Sequence, residues 1–150
     1  MLPKPPACEG CVLWGDGRGF TPDELVEGAK VLILAQNPGQ HEEAGERVTG
    51  YEYAGRRRVP VTEPNPRGPA PLLGVTGYDM EREFFPLARL ERGMSGNPDT
   101  RVSLANVLKC RQIVNGRRTN DLPTGKRLAQ AVSHCTAAHL RIPPGTQLIV

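Results

Sequence analysis

The sequence predicts a single α/β domain built around a mostly parallel sheet. Two short apolar runs, residues 30–35 and 101–108, lack polar alternation, which is typical of strands buried on both faces of a parallel sheet. Residues 81–91 and 124–140 carry apolar side chains at helical spacing, so helices accompany these strands. A chain of 150 residues is one domain by length.

Composition narrows the class of protein. Hydrophobic residues make up 38% and charged residues 23% of the chain, as in soluble globular proteins. The net charge of +3 permits a nucleic-acid partner without requiring one. No apolar stretch approaches the length that spans a bilayer, and the N-terminus lacks a signal-peptide core, so we expect a cytoplasmic protein. In that reducing compartment, four cysteines favour metal ligands or buried thiols over disulfides.

The first strand and the residues that follow it are the strongest indication of a site. Thr21 and Pro22 predict the start of a short helix that ends near Gly28. The strand at 30–35 then stops at Gln36-Asn37-Pro38-Gly39. In open α/β sheets, ligands bind at the carboxyl ends of strands, so these polar side chains are candidates for a binding site. The alternative interpretation is an ordinary tight turn, since Asn, Pro and Gly are the usual turn residues.

The remaining elements follow in order. Residues 46–70 read as an irregular, basic and proline-rich insertion. The helix at 81–91 is predicted to be capped near Gly93, with Pro86 in its first turn. A second buried strand covers 101–108, a helix covers 124–140, and a third core strand begins at 147. Because this strand ends flush with Val150, we expect the sequence to be the front part of a longer one.

The cysteines suggest a metal site. Cys8 and Cys11 form a Cys-x-x-Cys pair, in which one turn brings two thiolates to the same ion. Cys110 follows the second strand and Cys135 lies on the last helix, so the fold can fix both. The four together suggest either a zinc site or an iron–sulfur cluster. The alternative is that Cys110 and Cys135 are buried small hydrophobes.

Five groups of residues, taken together, resemble the iron–sulfur (family 4-like) branch of the uracil-DNA glycosylase superfamily. Their order and spacing match that branch across nearly all 150 residues, apart from an insertion near 46–68 and a lengthened loop after Cys110. The matching groups are Cys8 and Cys11; Ala35-Gln36-Asn37-Pro38-Gly39; Pro71-Leu72-Leu73-Gly74-Val75-Thr76-Gly77; Ala105-Asn106-Val107-Leu108-Lys109-Cys110-Arg111; and Cys135.

The resemblance implies a three-layer α/β/α fold with a central, mostly parallel four-stranded sheet. It implies a monomer that removes uracil from single- or double-stranded DNA by flipping the base into a pocket at the carboxyl ends of the strands. It also implies a 4Fe-4S cluster, held by all four cysteines and structural in role.

The resemblance also assigns roles to individual residues. Asn37 would position the attacking water, and Asn106 would bind the uracil edge, because an amide both donates and accepts. Glu42 falls where family members carry an acid, although in the first turn of a helix it can simply favour the dipole. The backbone around Gln36, Pro38 and Gly39 would contact the base, and Leu72 would cover the ring face.

Three departures from the family pattern matter. The Asn-Pro-Gly form is closer to the mismatch-specific and single-strand-selective branches. Leu72 stands where the family stacks a Phe on uracil, and Tyr51 or Tyr53 is a candidate replacement. The 150 residues end before the family's C-terminal His-Pro-Ser motif. The main alternative is therefore a non-catalytic iron–sulfur module that binds DNA or uracil, and a zinc-stabilised α/β protein is a third possibility.

Basic residues supply candidate DNA contacts. The candidates are Arg56, Arg57, Arg58, Lys109 and Arg111, with Arg117 and Arg118 nearby. The alternative for the run at 56–58 is a solvated charged face. No role is assigned to His41, His134 or His139.

Overall fold

The computed structural model describes all 150 residues as a mixed α/β fold. A 3₁₀ turn (Pro6–Cys8) and a π-helical turn (Met80–Phe84) accompany the regular elements. In chain order these are β1 (Leu2–Pro3), β2 (Arg18–Phe20), β3 (Val31–Ala35), α1 (Gln40–Ala44), β4 (Glu46–Ala54), β5 (Arg57–Pro64), α2 (Val75–Asp79), α3 (Phe85–Ala88), β6 (Val102–Asn106), β7 (Gln112–Val114), β8 (Arg117–Thr119), α4 (Gly125–Ala138) and β9 (Leu148–Ile149).

A three-stranded parallel sheet lies at the centre, in the order β6-β3-β9. Its register pairs Val31 with Val102 and Ala35 with Asn106. The predicted strands at 30–35, 101–108 and 147–150 are therefore confirmed. The expected four-stranded central sheet is not evident, because only three strands pair in parallel and the other sheets are two-stranded hairpins or ribbons.

The buried apolar side chains on one face of the central sheet belong to the first of two core clusters. Ile33 and Leu104 lie on one face of the sheet, where they pack with Leu72, Phe85 and Leu90. Alternation along the strands places Ala35 and Asn106 on this same face. The second cluster includes three of the cysteines and consists of Cys11, Leu13, Leu108, Cys110, Ala131 and Cys135.

The helix predicted to begin at Thr21 is wrong. This segment is extended: Glu24 pairs antiparallel with Leu104, and the Thr21 N–H donates to the Lys109 carbonyl at 2.7 Å. The outer edge of β6 offers unpaired backbone groups, and pairing with them satisfies the segment's own N–H and C=O groups. Tertiary pairing therefore overrides a local helix-start signal.

The prediction that residues 46–70 are irregular is also wrong. Strands β4 and β5 form a long antiparallel hairpin, with Tyr51 opposite Pro60 and Tyr53 opposite Arg58. A two-stranded hairpin has two free edges, where a proline loses no ladder hydrogen bond, so Pro60 is tolerated within a strand. Only the segment after Pro64 lacks regular structure.

The predicted helices at 81–91 and 124–140 are confirmed, apart from their boundaries. Helical backbone runs continuously from α2 through the π-helical turn to α3, with Pro86 in the first turn of α3. It ends at Arg89, whose φ of 56° is left-handed, so the end precedes the predicted cap at Gly93. Helix α4 lies within the predicted range of 124–140. None of the helices is both long enough and apolar enough to cross a membrane.

Candidate functional site

A cavity of about 610 Å³ opens at the carboxyl end of β3. This volume lies in the usual range for small-ligand sites, and the position is the one at which α/β sheets bind ligands. Six of the seven residues predicted for catalysis or base binding line it, namely Gln36 to Gly39, Glu42 and Leu72, whereas Asn106 does not. The remaining wall residues are Ala35, Gln40, His41, Gly74, Val75, Thr76 and Asn120.

Asn37 is partly buried at the mouth of this cavity. Its Nδ2 donates to the carbonyl of Asn120 at 3.1 Å and to that of Pro38 at 3.4 Å. Both amide hydrogens thus have acceptors within the protein, whereas Oδ1 accepts no hydrogen bond from any protein group. The arrangement fixes the amide and leaves Oδ1 to accept a hydrogen bond from a water or a ligand.

Asn106 carries the most unusual side chain of the site. It is fully buried at the end of β6, yet neither Nδ2 nor Oδ1 has a hydrogen-bond partner. An unsatisfied buried amide costs about 1–3 kcal/mol, and each such group in a folded protein needs an explanation. Asn106 lies in register with Ala35 and on the same sheet face as Leu72, and both of these residues line the cavity. Asn106 itself does not line the cavity, so its unpartnered donor and acceptor lie next to the cavity wall and not in it.

A buried ion pair holds the backbone of Asn106. Lys109 Nζ contacts the Asp23 carboxylate at 2.6 and 2.7 Å and donates to the Asn106 carbonyl at 2.5 Å. Asp23 Oδ1 in turn accepts from the Asn106 N–H at 3.2 Å. The side chain of Lys109 is only 1% exposed, so the prediction that it contacts DNA phosphates is wrong. Its role is to position the strand end.

We expect Lys109→Met to lower the free energy of unfolding by about 3–5 kcal/mol, because the buried Asp23 carboxylate would lose its partner. Urea denaturation measures the change. Arg117→Met is the matched control, because this arginine is exposed and forms no ion pair, and its substitution should cost less than about 0.5 kcal/mol. Equal losses in the two variants would contradict a structural role for Lys109.

Glu42 ties two walls of the cavity together. Its buried carboxylate accepts from the Gly39 N–H at 2.6 Å and also from the backbone N–H groups of Leu72 and Leu73. Burial raises the pKa of Glu42, although these donors act in the opposite direction. Because the carboxylate is engaged with the backbone, its geometry favours a positioning role over proton transfer.

Leu72 is held in an uncommon backbone conformation. Its φ is 54°, in the left-handed region that a bulky residue rarely adopts. Arg92 donates to the carbonyls of Pro71 and Leu72 at 2.5 and 2.8 Å, and Gly77 approaches so closely that a Cβ there would lie 1.7 Å from the Leu72 oxygen. Glu42, Arg92 and Gly77 thus fix the wall that would cover a bound ring. The Tyr51 and Tyr53 side chains do not line the cavity.

Glu42→Gln should become progressively more stable relative to the wild type as the pH rises from about 4 to 7. The folded protein holds the carboxyl proton more tightly than the unfolded chain, because burial raises the pKa of Glu42. The stability that this group contributes is therefore greatest below the ordinary glutamate pKa and is lost as the pH rises through the folded-state pKa. Urea denaturation across this pH range, with the exposed Glu63→Gln as the control, measures the difference. A variant that becomes less stable relative to the wild type as the pH rises would contradict the assignment.

The four cysteines converge although they come from distant parts of the chain. All are free and buried: Cys8 is in the 3₁₀ turn, Cys11 is in the next loop, Cys110 follows β6, and Cys135 is on α4. Burial, together with the negative charge of neighbouring cysteines, raises the pKa of Cys8 to about 11 and that of Cys110 to about 12. Such mutual effects require the thiols to lie near one another.

The donor set consists of four buried thiols, which can serve either a 4Fe-4S cluster or a zinc ion. No three His, Cys, Asp or Glu side chains are placed to hold one metal ion. A 4Fe-4S cluster takes one thiolate per iron, so its ligands stand farther apart than those around a single ion. Lys4 is buried beside the cysteines, with Nζ donating to the carbonyls of Leu13 and Trp14, and its charge lowers the pKa of Cys8 and Cys110. A buried cation of this kind suits an anionic cluster.

The remaining basic candidates separate into two groups. Arg111 and Arg118 both pair with the buried Glu43, at 3.4 and 2.8 Å, and these pairings make them structural. In contrast, the run of three arginines at 56–58 lies exposed at the tip of the β4–β5 hairpin and forms no ion pair. These three, together with the exposed and unpaired Arg117, are the predicted DNA contacts that remain available.

Two of the cavity residues that were not predicted from the sequence make polar contacts. His41 lines it, with Nδ1 3.4 Å from the Glu46 carboxylate. Asn120 supplies the carbonyl that anchors Asn37. No local signal identifies Asn120, because it acts through its backbone and is 83 residues away from its partner. His41 follows the turn by two positions, and that proximity was the available signal.

A comparison with protein-family profiles found no matching family, and a comparison with curated proteins found no similar sequence.

Proposed function

We propose that this chain is a monofunctional uracil-DNA glycosylase that hydrolyses the bond between uracil and deoxyribose. The observation that carries the proposal is the Asn106 amide, buried without a partner next to Ala35, which lines the cavity that also contains Asn37. A flipped uracil presents O4 and N3–H, one acceptor and one donor, which together satisfy that amide. The motif resemblance described above supports the same assignment.

The residues of the cavity have separate roles in this proposal. Asn106 binds the edge of the base, Leu72 covers its face, and Asn37 Oδ1 orients a water toward the sugar carbon. As the glycosidic bond breaks, its electron pair leaves with uracil, the water oxygen bonds to that carbon, and the water's proton passes to the departing uracil anion, directly or through solvent water. Neutral Asn37 cannot remove the water's proton, and Glu42 is committed to backbone N–H groups. General-base help typically contributes about 10²–10⁴-fold, so turnover is slow.

The proposal also covers the layer arrangement of the fold, the number of strands in its central sheet and the cofactor. The proposed fold is a three-layer α/β/α domain in which a fourth strand would join the observed three-stranded parallel sheet of β6, β3 and β9. The four cysteines would hold a 4Fe-4S cluster, which supplies a structural cross-link and takes no part in the reaction. It would join the N-terminal turn to α4 and to Cys110, four residues after Asn106, and so steady the base-binding strand end.

A uracil-containing oligonucleotide tests the reaction. We expect strand scission when single-stranded DNA is incubated with the protein and then treated with alkali, and none when thymine replaces uracil. Asn37→Ala should lower single-turnover cleavage by on the order of a hundredfold while leaving DNA affinity nearly unchanged. Equal losses of cleavage and affinity would contradict the water-positioning role.

The second candidate is a non-catalytic iron–sulfur module that binds uracil-containing DNA through the same cavity. The observation that favours it is the lack of a free carboxylate at Asn37, since Glu42 is tied to the backbone. Tight binding to the uracil-containing strand without scission would support this module over the enzyme.

A further inference from the structure

The β4–β5 hairpin projects from the wall of the cavity. Strand β4 begins at Glu46, two residues after α1 ends, and His41 of α1 lies 3.4 Å from the Glu46 carboxylate. On the other side, the Tyr51 ring packs edge-to-face on Tyr78 of α2, with the ring centroids 5.4 Å apart. Both helices contribute residues to the cavity, so the hairpin is anchored to the site and continues away from it.

One face of the hairpin combines aromatic and basic side chains. Tyr51 and Tyr53 are two residues apart on β4, and Arg58 is the cross-strand partner of Tyr53, so all three share a face. The Arg58 guanidinium lies 3.4 Å from the centre of the Tyr51 ring. Tyr53 is 76% exposed and stacks on no other ring. We call these three residues the Tyr53 face.

The charge around the Tyr53 face is positive. Arg56 adjoins it at the tip, whereas Arg57 pairs with Ala54 and therefore points to the opposite face; all three arginines at 56–58 are exposed and form no ion pair. Glu52 is the nearest acid on β4, but it pairs with Val59 and therefore points to the opposite face. An exposed aromatic ring beside unpaired arginines offers a base-stacking surface together with phosphate contacts.

We propose that the Tyr53 face binds the single-stranded DNA that flanks the base held in the cavity; this inference rests on the proposed function. Unpaired bases have free faces on which Tyr53 can stack, whereas bases within a duplex are already stacked on one another. A strand rises about 3.3 Å per residue, so Tyr53 lies roughly 23 Å along β4 from Glu46. The contact therefore reaches several nucleotides beyond the flipped base.

Fluorescence anisotropy with a labelled dT oligonucleotide of about 20 nucleotides that contains no uracil tests the inference. Tyr53→Ala should raise the Kd for this strand roughly 5- to 150-fold, whereas Tyr53→Phe keeps the ring and should leave the Kd near the wild-type value. Replacing Arg56 and Arg58 with glutamine should flatten the slope of log affinity against log salt by about 1.4, at about 0.7 per phosphate contact. Because Tyr53 is exposed, an unchanged melting temperature verifies that Tyr53→Ala is folded.

The outcomes separate this inference from the proposed function. Unchanged affinity in Tyr53→Ala, or binding of duplex DNA or single-stranded RNA as tight as that of single-stranded DNA, would overturn it. These measurements use DNA without uracil, so they do not depend on cleavage. If the wild type releases no uracil yet still binds the strand through Tyr53, the glycosylase proposal fails and the binding surface stands.

Discussion

Asn106→Leu should make the folded protein more stable by about 1–2 kcal/mol, because leucine has a similar shape and removes a buried amide that has no partner. The same substitution should lower single-turnover release of uracil by on the order of 10²–10⁴-fold, because a site built to hydrogen-bond its ligand loses most when that partner is absent. Urea denaturation and the alkali-scission assay measure the two effects on one protein preparation.

Gln112→Leu is the matched control for this substitution. Gln112 is also a buried amide, but its Nε2 donates to the Asp121 carbonyl at 2.9 Å. Replacing it should therefore destabilise the protein, because that carbonyl loses its partner. A loss of stability in Asn106→Leu equal to that in Gln112→Leu would show that the Asn106 amide supports the fold and is not held ready for a ligand.

Cys110→Ser should abolish the iron–sulfur absorbance near ~400 nm of protein purified without oxygen. It should also lower the free energy of unfolding by on the order of 5 kcal/mol or more. The reason is that the cluster would join three segments that otherwise meet through a small apolar core and a few hydrogen bonds, so the binding free energy of the cluster becomes folding free energy. Iron analysis, visible absorbance and thermal melting measure these losses, and the other three cysteines should behave alike.

Ser133→Ala is the control for the cysteine variants, because it changes an exposed residue on α4, two positions from Cys135. It should retain both iron and stability. Wild-type protein that contains zinc or no metal, with only small losses on replacing each cysteine, would contradict the cluster. If no metal is bound, the four thiols would be buried small hydrophobes.

The strands that frame the cavity could be predicted because their sequences are locally decisive. Strand β3 is wholly apolar and is followed by Gln36 and Asn37, and β6 contains only Ser103 as a polar residue before it ends at Asn106. The motif resemblance, and not the apolar pattern, assigned Asn37 and Asn106 to the same sheet edge. Helix α4 was predicted for the same kind of reason as the strands, since its apolar spacing is regular over four turns.

The remaining features depend on partners that are distant in sequence. Lys109 looks like a phosphate contact beside Arg111, yet Asp23, 86 residues away, draws it into the interior. The Thr21 segment carries a helix-start signal but is extended because the edge of β6 is available to it. In the β4–β5 hairpin, prolines mask the two-residue alternation, and only the free edges of the hairpin explain why they are tolerated.

The most direct test of the central claim is a crystal structure of the protein bound to single-stranded DNA that contains an uncleavable uracil analogue. We expect the flipped base in the cavity at the end of β3, with its O4 and N3 edge on the Asn106 amide. A water or the sugar should lie next to Asn37 Oδ1. A base bound elsewhere, or an Asn106 amide that is shielded from the cavity in the complex, would contradict the account.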